Sequence, residues 1–92
     1  MIIPDKIRIF AEDVIINKTD LLKRDNSYGV AHYRYNEIQI DENLEKGLEE
    51  ATFFHEVTHF VLNKMCEDEI NNEKFVCVFS SLLNQALKDC LK

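Results

Sequence analysis

The chain has no tryptophan, one proline and two glycines among its 92 residues. That scarcity excludes collagen-like, linker-like and low-complexity architectures, which need Pro and Gly in quantity. Its three cysteines, Cys66, Cys77 and Cys90, form no CxxC spacing and cannot all pair within one chain. They read as reduced, partly buried thiols and not as a disulfide framework. Basic residues are also short, 11 against 17 acids for a net charge of −6, and they form no cluster. Phosphate backbones reward clustered Lys and Arg, so no nucleic-acid partner is expected. No apolar run approaches the roughly 20 residues that span a bilayer, so no membrane partner is expected. The N-terminal stretch lacks the charged, apolar and small-residue regions of a signal peptide. A cytoplasmic protein is the expectation.

The composition that remains, 46% hydrophobic and 30% charged, is that of an ordinary globule. The length suits a single domain over residues 1–92. A domain of this size buries only about 60–65% of its unfolded surface, so a bound metal would add folding free energy that the core supplies sparingly.

Ile7–Ile16 is rich in β-branched residues and predicts one strand, or two short ones broken near Ala11–Asp13. Asn17–Ser27 is polar and reads as a loop with a helical turn around Leu21–Leu22. Gly29 opens a second β region. Val30–Tyr35 and Ile38–Asp41 predict a hairpin turning at Asn36–Glu37, with Tyr35 opposite Ile38 and Tyr33 opposite Ile40. His32, Arg34 and Gln39 then share the wetter face. Helical periodicity follows from Leu48 to about Met65, with Phe53, Phe54, Val57, Phe60, Val61 and Met65 on one apolar face; Gly47 blurs the start. Cys66–Asn72 reads as a connection. A second helix, about Asn72 to Leu91, aligns Phe75, Phe79, Leu82, Leu83, Ala86 and Cys90. The predicted fold class is α+β, a small antiparallel sheet packed on two helices.

His55-Glu56-Val57-Thr58-His59 is an HExxH pattern inside the first helix. Residues four apart on a helix lie on one face with Cβ atoms about 5–6 Å apart, so both imidazoles reach one Zn²⁺. Glu56 is turned by roughly 100° from His55, away from that cation but within reach of a water beside it, the position of a general base. A catalytic zinc needs a third protein ligand and an open position. The candidates are Glu67, Asp68, Glu69 and Glu73, with Glu73 favoured over Glu69 by its place at the start of the second helix. His32 falls on the wet face of the hairpin. Cys77, one turn beyond Glu73, is expected to line a pocket, because a fourth protein ligand would close the open position.

These segments resemble the small zincin-like proteins of bacteriophages and prophages, related to the ImmA/IrrE metallopeptidase family and to the minimal gluzincins. The likeness runs through the β segment Lys6–Ile16, then Gly29, Tyr33, Ile38, Ile40 and Asp41. It continues through Thr52-Phe53-Phe54-His55 to His59, and through Glu73-Lys74-Phe75-Val76 with Leu82, Leu83 and Leu87-Lys88-Asp89. Related motifs often carry Gly or Leu where Thr58 stands. The resemblance implies a minimal zincin-like fold, a metal-binding glutamate at Glu73 and a phage or prophage origin in a bacterial cytoplasm.

Zinc-assisted peptide hydrolysis follows as the expected activity: His55, His59 and Glu73 as ligands, Glu56 as base, and a peptide or protein as substrate. An extended substrate is expected along an exposed sheet edge formed by Ile38–Asp41. No oxyanion stabiliser is assigned among His32, Tyr28, Tyr33 and Tyr35, and the last two read as core residues beside the hairpin isoleucines. The competing expectation is a catalytically inactive zincin-like module that binds a host or phage protein.

Overall fold

The computed structural model describes residues 2–9, 11–22, 26–65 and 72–88. Ala11, in the left-handed region at φ 63°, reverses the chain between β1 (Lys6–Ile9) and β2 (Glu12–Thr19). The predicted break near Ala11–Asp13 is therefore present, and β2 runs on into the segment read as loop. Alternation in the middle of β2 buries Val14 and Ile16 and leaves Asp13 and Ile15 outside. A short helical turn at Leu21–Leu22 follows, with Leu22 buried.

β3 (Gly29–His32) leads through a 3₁₀ turn at Tyr33–Tyr35 into β4 (Glu37–Asp41). The sheet order is β1-β2-β4-β3, with β2 and β4 parallel and the other pairs antiparallel. This mixed sheet corrects the expectation of a purely antiparallel one. Asp20–Asn36 exceeds the dozen or so residues a parallel crossover needs, and β4 returns into the gap between β2 and β3. The Ile38–Asp41 strand is thus internal, and the edges are β1 and β3.

The hairpin also departs from its predicted register. Ala31, and not Tyr35, stands opposite Ile38, and Gly29 opposite Ile40. Asn-Glu is poor chemistry for a two-residue turn. Instead Asn36 takes the left-handed conformation at φ 49° and closes a longer connection, its N–H bonding the Tyr33 carbonyl. Ala31 and Tyr35 are an even number of positions apart, so each strand residue keeps its predicted face. His32 and Gln39 indeed share one side, joined by a 3.2 Å hydrogen bond. Tyr35 is 74% exposed and leaves the core expected for it, whereas Tyr33 is half-buried, edge-to-face against Phe60.

α1 (Lys46–Lys64) starts two residues before the predicted Leu48, because the Glu45 side chain accepts the Leu48 N–H at 3.0 Å and caps a first turn that contains Gly47. The helix lies on β3 and β4. Val14, Ile16, Ile38 and Ile40 from the sheet meet Phe53, Phe54 and Phe60 from α1, with Ile3 at one end. Val61 and Met65, read as part of the apolar face, are exposed. At the far end of α1, Lys64 Nζ reaches Glu12 Oε2 at 2.7 Å, tying the β1–β2 hairpin to the helix.

α2 (Glu73–Lys88) packs on α1. Its buried side matches the predicted one only at Leu83. Val76 and Ser80 are buried, Leu83 and Leu87 pack partly on the core, and Phe75, Val78, Phe79 and Leu82 face solvent. Two apolar stripes run along this helix, and the one with small Ser80 at its centre permits the closer approach to α1. Cys66, Glu67, Asp68, Glu69, Cys90 and Leu91 lie outside the described residues. Among those described, no helix is long and apolar enough to cross a membrane.

Candidate metal centre

The HExxH stretch lies in the middle of α1, bounded by full helical turns, so its spacing is that of a regular helix. The His55 and His59 rings stand one turn apart, centroids 5.0 Å from each other. Thr58, between them, returns its hydroxyl to the Phe54 carbonyl at 2.8 Å and stays inside.

The third partner comes from the start of α2. Asn72 accepts the Phe75 N–H through Oδ1 at 3.1 Å, an N-cap that makes Glu73 the first residue of the helix. From there Glu73 reaches back to α1, Oε2 lying 3.0 Å from His55 Nε2 and Oε1 3.1 Å from His59 Nε2. The three residues expected to share a metal are brought together. Around a tetrahedral zinc with Zn–N distances of about 2.0–2.1 Å, neighbouring donors stand roughly 3.3 Å apart. Each Glu73–histidine separation is close to that edge, though through a different carboxylate oxygen, and an imidazole and carboxylate set is of the chemical type that suits zinc. Without a cation the same spacing is that of imidazole–carboxylate hydrogen bonds.

Glu56 is turned inward from His55 and is 8% exposed. Burial, and secondarily the Glu73 charge, push its carboxyl up to about 7. Tyr33 feels the same acids: burial, then Glu56 and Glu73, hold its hydroxyl above the usual range. His32 is engaged with Gln39.

Gly29 sets the height of β3 over this part of α1. A Cβ there would stand 2.6 Å from Thr52 Cγ2, 3.1 Å from Glu56 Cγ and 3.2 Å from the Gln39 carbonyl oxygen. Only a residue without a side chain lets the strand come so near. The sequence marks Gly29 merely as the start of a strand, and nothing in it signals this contact with Glu56.

Beside His55 a cleft of about 440 Å³ opens between β3, α1 and α2. Its walls include Gly29, Ala51, Thr52, Ser80 and Ser81 together with Tyr28, Leu48 and Glu56. Cys77 also lines it, as expected, and its Sγ is 3.7 Å from His55 Nδ1. Donor atoms of His55, Glu73 and Cys77 all lie within 4.8 Å of one another, so a second donor set shares two members with the first. Of the other acids considered as ligands, Glu67, Asp68 and Glu69 lie outside the described residues. Compared with models of protein families, with curated proteins and with solved structures, the chain matches none.

Proposed function

We propose that the protein is a minimal zincin-like metallopeptidase domain of the phage or prophage type, hydrolysing peptide bonds at a zinc held by His55, His59 and Glu73. One observation carries this reading: a single carboxylate from α2 meets the Nε2 atoms of both HExxH histidines, 3.0 and 3.1 Å away, with Glu56 buried beside them. A divalent cation bound there would supply Lewis-acid polarisation of the scissile carbonyl and acidify a reacting water.

The chain's own residues would do the rest. Glu56 would take a proton from the attacking water and pass it to the leaving amine. β3 is an edge strand that begins at the cleft, so its free backbone groups suit an extended peptide laid alongside by β-augmentation. The cleft beside His55, walled mainly by small residues and by Glu56, suits a substrate side chain of modest size.

A second reading, a zincin-shaped module that acts by binding, draws on the bare apolar side of α2, where Phe75 and Phe79 stack in solvent with centroids 5.8 Å apart. Cleavage of a panel of extended peptides by the zinc-loaded protein separates the two. The peptidase reading expects turnover by wild type and none by Glu56→Gln with zinc retained. No turnover of any peptide by zinc-loaded wild type overturns it.

A further inference from the structure

His55 uses both of its ring nitrogens. Nε2 faces Glu73 at 3.0 Å, and Nδ1 faces the Cys77 sulfur at 3.7 Å. A neutral imidazole carries its proton on one nitrogen and a lone pair on the other, and the hydrogen bond made by one decides what the other offers. If Nε2 is given to a cation, the proton must sit on Nδ1, and the atom in front of that proton is Cys77 Sγ. Ligating histidines ordinarily donate this second N–H to an acceptor that fixes ring and tautomer.

We propose that Cys77 is a positioning residue of the metal centre: its sulfur accepts the Nδ1–H hydrogen bond of His55 and so aims Nε2 at the space shared with His59 and Glu73. The proposal rests on the zinc reading above. Two features of the fold support it. Cys77 follows Glu73 by one turn of α2, so the helix that brings the carboxylate brings the sulfur with it. The buried Ser80 hydroxyl donates to the Cys77 carbonyl at 3.2 Å, fixing that turn. The sulfur stands off the Nδ1 side of the ring and Glu73 off the Nε2 side. Cys77 thus supports the ligand without occupying the coordination position that hydrolysis needs open.

The test is titration of the metal-free protein with Co²⁺, followed by visible absorption, and competition of the bound Co²⁺ by Zn²⁺. Wild type is compared with Cys77→Ser, which keeps an acceptor, and Cys77→Val, which does not. Metal-free melting temperatures of the three establish that each is folded. The expected result is a four-coordinate cobalt spectrum without a sulfur-to-cobalt band in the near ultraviolet. Affinity should fall about 10–100-fold in Cys77→Val and recover in Cys77→Ser. Equal affinity in all three proteins overturns the proposal. So does a near-ultraviolet band lost in both variants, which would make Cys77 a ligand. Absence of any cobalt spectrum in wild type would instead defeat the zinc reading on which it rests.

Discussion

Glu73 Oε1 lies 3.1 Å from His59 Nε2, although the Glu73 side chain is 65% exposed and that of His59 only 10%. The centre thus straddles the protein's boundary: α1 supplies the enclosed half and α2 the open half. It has a dry wall, in which the Glu56 carboxyl is buried, and a wet wall formed by Glu73. The residues on the two walls therefore respond differently to substitution.

On the dry wall, metal-free protein bears the cost of ionising Glu56. Its folded pKa of about 7 stands above the ordinary 4.5, so the folded state binds more protons between those values. Stability is full below pH 4.5 and is lost as pH rises through 7, by on the order of 3 kcal/mol. Glu56→Gln removes this dependence. In the presence of chelator its melting temperature should exceed that of wild type at pH 8 and approach it at pH 5. A wild-type excess at pH 8 would contradict the burial argument.

Glu73→Gln should lower the Glu56 pKa without restoring it to 4.5, because the Glu73 charge is the smaller cause and burial the larger. Carboxyl-carbon NMR titration of Glu56 in metal-free protein measures the shift. No change would show that the two acids do not sense each other.

Gly29→Ala forces a methyl group to 2.6 Å from Thr52 Cγ2 and 3.1 Å from Glu56 Cγ. The expected loss is about 1–3 kcal/mol, the usual range for overpacking. Urea unfolding at constant m measures it. An unaltered midpoint would mean that β3 and α1 separate freely.

The orientation of α2 makes an inverted prediction, in which the larger truncation costs less. Val76 is fully buried, so Val76→Ala should cost about 2 kcal/mol. Phe79 is 46% exposed, and Phe79→Ala should cost less despite removing more carbon. The reverse order in chemical denaturation would restore the stripe first read from the sequence to the helix interface.

Much of the candidate site was legible before the fold because its residues follow helix geometry. The separation of His55 from His59 is a property of one regular turn, and Glu73 stands where a helix begins. Glu56 and Cys77 follow from those placements, whereas the cleft depends on the approach of β3 at Gly29, which they do not encode. The sheet was less legible. Whether β4 lies inside or at the edge depends on a parallel pairing with β2 that no local pattern encodes. The register of β3 depended on a turn without a strong turn residue, which is why Ala31 took the place expected of Tyr35. On α2, Phe75, Phe79 and Leu82 outweigh Val76, Ser80 and Leu83 in hydrophobicity. Approach to α1 and the reach of Glu73 favour the smaller stripe.

The most direct measurement is equilibrium zinc binding by the purified chain, read calorimetrically and by metal analysis, for wild type, His55→Ala, His59→Ala and Glu73→Ala. One zinc per chain in wild type, and affinity lost by orders of magnitude in both histidine variants and weakened in Glu73→Ala, is the predicted result. Unchanged zinc binding in the three variants, or none in wild type, would contradict a metal centre between α1 and α2.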